Sequence, residues 1–173
     1  ATSEKAVAAA LAAIRKEAGA IQAAFHTAMV LHDTLLSNLT REQLDAVLAP
    51  KVRGAQLLDA LTRGDALRQF VLFSSATTLV GNPGQANYVA ANGYLEGLAA
   101  RRRAEGLPGL AVAWGAISDA GYLARNADVG DLLARKLGRH ALSAREALDG
   151  LAMHMALPQD DVVAAAPGYA RID

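Results

Sequence analysis

The chain has 173 residues, 53% hydrophobic and 20% charged, which suits one folded domain and excludes a disordered segment. Seventeen Lys and Arg balance seventeen Asp and Glu, so no net field draws in nucleic acid or an anionic membrane, and no apolar run approaches the roughly 18 residues of a membrane span. Cysteine is absent, which excludes a disulfide framework and a thiolate metal site and makes a cytoplasmic setting the plain expectation.

Val7, Ala10, Leu11 and Ile14 recur at helical spacing, predicting an amphipathic helix from about Glu4 to Ala18. Its charges, Glu4, Lys5, Arg15, Lys16 and Glu17, set it apart from a signal peptide. Gly19 ends it, and "AIQAAFHTA" reads as a short strand. After a polar loop with Asp33 and Asn38, Thr40 N-caps a second helix, with Gln43 three residues on as in a capping box. That helix has to pass or bend at Pro50 and continues through "KVRGAQLLDALT". "QFVLFSS" is a continuous apolar run, the pattern of a strand buried on both faces. A helix from about Ala86 to Arg103, the strand "GLAVAWG" and the long irregular connection "AISDAGYLARNADVG" follow. The chain then carries a helix near Asp131 to Leu137, a helix capped by Ser143 running to about Leu157, and the short strand "DVVAAA".

Strands alternating with helices of this length predict βαβ units around a parallel sheet, an α/β, doubly wound, Rossmann-like fold. The chain opens on a helix, with neither a strand nor a G-x-G-x-x-G turn before it. Residues 1–173 are therefore expected to form a single domain lacking the N-terminal glycine-rich βαβ portion of such a fold.

Two readings compete for the segment from Phe70 to Arg103. Gly81 and Gly84 follow a strand and precede a helix, as a phosphate cradle requires, but G-x-x-G is too sparse for the dinucleotide motif. No Lys-Ser/Thr pair follows Gly84, so the P-loop reading fails too, and the glycines are expected to shape a substrate-side loop. The other reading is acid–base chemistry. Ser75 ends a strand at the carboxyl edge of the sheet, where open α/β folds bind their ligands. Tyr88 and Asn92 are four apart on one helix face. A tyrosine exchanges protons poorly near neutrality unless a cation stabilises its phenolate. Of the four lysines, Lys5, Lys16 and Lys136 read as solvated helix positions, leaving Lys51 beside Pro50 and Val52. His26 and His32 lack a third ligand, so no metal site is expected. Arg101, Arg102 and Arg103 read as a solvated helix end that favours the helix dipole, and His154 as helix packing.

Lys51, Ser75, Tyr88 and Asn92, with "APKVRGA", "FVLFSS", "NPGQANYVAANGYLEGLAARRRAEGLP" and "VAWG", closely resemble the ketoreductase domain of modular type I polyketide synthases, which are extended relatives of short-chain dehydrogenases. Most short-chain dehydrogenases carry the lysine four residues after the tyrosine, where this chain has Asn92; polyketide ketoreductases make the same exchange, placing the lysine on the preceding long helix. The resemblance implies NADPH-dependent reduction of the β-ketone of a chain tethered to an acyl carrier protein. Tyr88 would donate the proton and Ser75 would hydrogen-bond the carbonyl oxygen. Lys51 would lower the tyrosine pKa and hold the cofactor ribose, while Asn92 would support the proton relay. His26 is expected as a wall of the cofactor pocket, with Trp114 and Gly115 beside the nicotinamide and "AISDAGYLARN" as a lid.

The resemblance also carries stereochemistry. B-type ketoreductases, which give the D-hydroxyl, have a Leu-Asp-Asp motif before the lysine helix; this chain has Leu31, His32 and Asp33. Val80 stands where A-type enzymes have tryptophan, and Pro83 and Asn87 match the B-type pattern. The proline of epimerising domains is absent from Val89-Ala90-Ala91. A B-type, non-epimerising reductase is therefore expected, working with an N-terminal ketoreductase segment or other synthase domains. A non-catalytic structural half of a ketoreductase, and another short-chain dehydrogenase-like reductase or epimerase, remain as alternatives.

Overall fold

The computed structural model describes residues 2–125, 141–156 and 163–165. Four parallel strands, β1 (Ala23–His26), β2 (Gln69–Ser75), β3 (Leu110–Trp114) and β4 (Val163–Ala165), form one sheet in chain order. The helices are α1 (Glu4–Ala18), α2 (Arg41–Leu48), α3 (Gly54–Leu61), α4 (Thr77–Val80), α5 (Ala86–Ala104), α6 (Gly121–Ala124) and α7 (Ala144–Ala156). The expected helix near Asp131 to Leu137 lies outside the described residues.

Local signals account for most boundaries. Thr40 accepts from the Gln43 N–H while the Gln43 side chain accepts from the Thr40 N–H, closing the capping box at the start of α2. Ser143 and Glu146 do the same before α7. Gly19 ends α1 at a φ of 83°, a conformation that side chains with a Cβ rarely adopt. The short α4 falls where a glycine-rich loop was expected.

Strand alternation divides the core between two faces. On one, Ala24, Phe70, Leu72 and Ala111 pack against Ala55 of α3 and Leu95, Leu98 and Ala99 of α5. On the other, Val71, Leu110, Val112 and Trp114 pack against Ala147 and Leu151 of α7. Helices therefore cover both faces, and the doubly wound, Rossmann-like architecture is present.

The end of α5 differs from expectation. Arg101 and Arg103 reach solvent, but Arg102 is 1% exposed, with its guanidinium 3.9 Å from the Phe70 ring centroid. The aliphatic stem completes the core, and the charge is matched by Asp59 of α3, which Arg63 and Arg101 also reach. Burial opposes ionisation of Asp59, yet the hydrogen bonds from Arg63 and Arg102 hold its carboxyl below the usual range. Arg102 Nε also donates to the Pro108 carbonyl at 2.7 Å. Gly109 permits this close approach, because a Cβ there would lie 2.6 Å from the Ala99 carbonyl oxygen.

Asp59→Ala leaves the Arg102 charge buried and unmatched by a carboxylate. The expected loss in a urea melt is about 3–5 kcal/mol. An unchanged midpoint would show that the guanidinium finds water.

Candidate active site

The carboxyl ends of β2 and β3 lie side by side, with Ser75 in register with Trp114. A cavity of about 750 Å³ opens over them, within the usual size of small-molecule sites. Its polar groups include Lys51, Ser75, Thr77, Gln85 and Tyr88; Phe73, Pro83, Trp114 and Ile117 supply apolar wall. Gly115 extends it to the connection expected to act as a lid, whose Ala120 and Gly121 join the lining.

Lys51 reaches this cavity because the α2–α3 run does not stay α-helical. Pro50 has no N–H to donate, and the chain widens into a π turn over Ala49–Arg53, where the Gly54 N–H donates to the Ala49 carbonyl five residues back. The turn rotates Lys51 inward until it is 2% exposed. Its Nζ donates to the Phe73 carbonyl at 2.8 Å and stands 5.4 Å from the Tyr88 ring centroid. Burial removes hydration from the ammonium and lowers its pKa to about 8.

Tyr88 enters from the first turn of α5. Burial pushes its pKa up, and hydrogen bonding with Asn92 and Ser75 opposes that push without cancelling it. The expected lowering by Lys51 is therefore not the net result: the phenolate loses more hydration than its neighbours restore, and the ammonium is directed at Phe73 over the ring face. Tyr88 consequently holds its proton across the neutral range. One turn on, Asn92 donates from Nδ2 to the Tyr88 carbonyl at 2.9 Å, while its Oδ1 is buried without a partner. Trp114 Nε1 is likewise buried and unpaired.

Lys51, Ser75 and Tyr88 thus converge on one cavity, with Asn92 buried directly behind Tyr88. Trp114 and Gly115 line the same space. His26 does not. It shares the buried face of β1 with Ala24, is 6% exposed, and sets Nε2 3.1 Å from the Lys51 carbonyl. It meets the π turn from below, while its neighbours Thr27, Met29 and Leu31 line the cavity. Burial lowers the His26 pKa, so the neutral ring presents Nε2–H to that carbonyl.

The residues expected to steer stereochemistry act mostly as a clasp. Gln85 Nε2 donates to Asp33 at 2.9 Å, Asn87 Nδ2 to the His32 carbonyl at 2.9 Å, and the Thr34 N–H to the Gly84 carbonyl at 2.8 Å. Asp33 and Asn87 lie outside the cavity lining, which Pro83 and Gln85 join. Gly81 and Gly84 hold φ of 69° and 85°, shaping the loop before α5.

Three contributors escaped the sequence reading. Gln85 links the clasp to the cavity wall. Thr77 bonds Ser75 Oγ through its N–H at 3.3 Å and its hydroxyl at 3.0 Å, a local pairing that the Ser-x-Thr spacing foreshadows. Glu96, four residues after Asn92, accepts from Ser74 Oγ at 2.5 Å and from Thr78 Oγ1 at 2.8 Å.

The buried amine of Lys51 has a cost that depends on pH. Below about 8 both native and unfolded states hold the proton, and the desolvation penalty is complete; between about 8 and the ordinary 10.5 the native state releases it first, so stability rises with pH. Lys51→Met is therefore expected to raise the urea midpoint at pH 7, with a gain that shrinks over that window. A pH-independent difference would show that the amine is already hydrated.

With this geometry established, comparison with known proteins places the chain. The KR domain family matches residues 1–119. "Polyketide synthase GfsB" of Streptomyces halstedii is 46% identical over 133 residues, which are 77% of this chain and 2% of that protein. "Spectinabilin polyketide synthase system protein NorB" of Streptomyces orinoci is 44% identical over 133 residues, 77% of this chain and 6% of that one. The chain thus spans only a small part of these curated relatives. Among solved structures, A-type ketoreductases from a modular polyketide synthase superpose with a TM-score of 0.87 at 39% identity, over 95% of this chain and 34% of theirs. An A1-type ketoreductase gives 0.83 at 38% identity, over 96% and 35%. With sequence family, relatives and fold in agreement, the chain belongs to the KR domain family, the ketoreductase domains of modular polyketide synthases.

Proposed function

We propose that this chain carries the substrate side of a ketoreductase that reduces the β-ketone of an acyl-carrier-protein-tethered polyketide intermediate to a β-hydroxyl. The observation that carries the reading is the meeting of Ser75, Tyr88 and Lys51 in one cavity of about 750 Å³ with aromatic walls. A ketone becoming an alcohol needs fixed donors at oxygen, a proton source and a site that excludes water. Ser75 supplies a hydroxyl on a strand end, and Tyr88 a phenol kept protonated by burial. Phe73 and Trp114 shed water from the reacting carbon.

The residues present also fit a reduced nicotinamide, which when bound supplies the hydride. The cavity sets the Lys51 ammonium near apolar wall from Trp114 and Gly115, a pairing that suits a nicotinamide riboside, its ring against the wall and its hydroxyls toward the amine. Lys51, Tyr88, Trp114 and Gly115 would hold it, and we propose NADPH as the form used. Proton transfer belongs to the chain itself: Tyr88 Oη–H passes its proton to the developing alkoxide, while the Lys51 charge beside the ring stabilises the phenolate left behind. Asn92 Oδ1, buried and unpaired behind Tyr88, is an acceptor available to the relay that restores that proton.

In the full-length protein, Tyr88→Phe is expected to slow reduction of a 2-methyl-3-oxo thioester by about 10²–10⁴-fold with cofactor affinity nearly unchanged. A parental rate would remove Tyr88 from the proton step.

We further propose a B-type outcome without epimerisation. The resemblance of Asp33, Pro83 and Asn87 to the B-type pattern supports it, with Val80 in place of the A-type tryptophan. Chiral chromatography of the product is expected to give the D-alcohol with its 2-methyl centre unchanged. A predominant L-alcohol would overturn the assignment and direct attention to His32, which stands in place of the first aspartate of the B-type motif.

A further inference from the structure

A hydroxyl has one proton and two lone pairs, and its role in a site depends on which of these its neighbours occupy. Ser75 Oγ, 9% exposed, receives the Thr77 backbone N–H at 3.3 Å and lies 3.0 Å from Thr77 Oγ1, whose O–H donates to it. Among the described residues the Thr77 hydroxyl reaches no acceptor other than Ser75 Oγ. Both lone pairs of Ser75 are then filled by one residue two positions ahead, and only its own proton remains free. Thr77, 7% exposed, lines the same cavity, so that proton is directed at whatever the cavity holds.

The turn that sets this geometry is anchored on three sides. The Ala76 N–H donates to the Trp114 carbonyl at 2.8 Å, and Ser74 Oγ to Glu96 at 2.5 Å. Thr78 Oγ1 lies 2.9 Å from the Ser75 carbonyl and 2.8 Å from Glu96, tying the start of α4 to the middle of α5. Thr77 therefore cannot swing away from Ser75 without breaking contacts to β3 and α5.

We propose that Thr77 is a positioning residue that saturates the acceptor capacity of Ser75 Oγ and so commits Ser75 to donate its proton to a carbonyl oxygen of the substrate. A carbonyl, with lone pairs and no proton, is the complementary partner; a group that offers only N–H or O–H finds no free acceptor on Ser75. The Thr77 O–H also polarises the Ser75 O–H in a short chain, so the donor strengthens as negative charge gathers on the substrate oxygen. This inference rests on the ketone-reduction reading and deepens it by naming what orients the donor.

The test uses the full-length protein and a 3-oxo thioester labelled with carbon-13 at the ketone. Two readouts are taken: steady-state kinetics with NADPH, and the infrared stretch of the labelled carbonyl in the complex without cofactor. Thr77→Val is expected to lower kcat about tenfold, the value of one hydrogen bond, with little change in KM. It is also expected to raise the carbonyl stretch as Ser75→Ala does. Thr77→Ser, which keeps the hydroxyl, is expected to restore both, and Thr77→Ala provides the same deletion should valine crowd the turn. In the Ser75→Ala background, Thr77→Val is expected to add no further loss. A parental rate and stretch in Thr77→Val beside a slowed Ser75→Ala overturns the Thr77 assignment alone, as do additive losses in the double variant. A parental rate in Ser75→Ala overturns the reduction reading and this inference with it.

Discussion

Burying the amine of Lys51 is the constraint around which the rest of the site is arranged. An ammonium in a dry interior is stable only if its protons meet fixed oxygens, and here the Phe73 carbonyl at the heart of β2 supplies one at 2.8 Å. Pro50 opens the helix into a π turn that brings Lys51 inward, and His26 meets the turn from below through the Lys51 carbonyl. β1, the α2–α3 run and β2 are thereby tied together at one residue. The same placement sets the ammonium against the face of Tyr88, where electron-rich ring density favours a cation.

Helix α5 carries this local arrangement to the rest of the domain. One broad face presents Tyr88, Asn92, Leu95, Ala99 and Arg102 in succession, the three- and four-residue steps of a single helical stripe. The first positions line and back the cavity, the middle ones fill the core beneath β2 and β3, and the last seals the far end against Asp59. Packing of Leu95, Leu98, Ala99 and Arg102 thus anchors the helix that carries Tyr88 well beyond the cavity. Its N-terminal end is held in turn by the Asn87 bond to the His32 carbonyl.

The two titrating groups of the site divide the proton between them by environment. Burial raises Tyr88 and lowers Lys51 to about 8, each shift favouring the neutral form. Near neutrality the result is a protonated phenol beside a cation that gives up its own proton only slightly above that range. In that state the pair carries one buried charge, the ammonium set 5.4 Å from the ring centroid.

How much of this was legible in the sequence depended on the range of the forces involved. Helix α1, the capping box at Thr40 and Gln43, strand β2 and helix α5 follow from periodicity, capping chemistry and an unbroken apolar run, all decided within a few residues. The types and order of Lys51, Ser75, Tyr88 and Asn92 could likewise be read before any coordinates. The tertiary structure decided what each side chain meets. His26 could not be assigned to support beneath Lys51 until β1 was placed in register beside β2, because strand parity alone does not say which face a helix covers. Arg102 reads as one of three similar arginines until Asp59, 43 residues away, occupies the space beside it. Thr77 and Glu96 gain meaning only when the end of β2 and the middle of α5 are brought together. Sequence alone therefore determined the elements and the chemical inventory, since those rest on local sterics and hydrophobic pattern; packing over tens of residues decided burial, pKa shifts and hydrogen-bond direction, since each depends on neighbours that only the folded chain assembles.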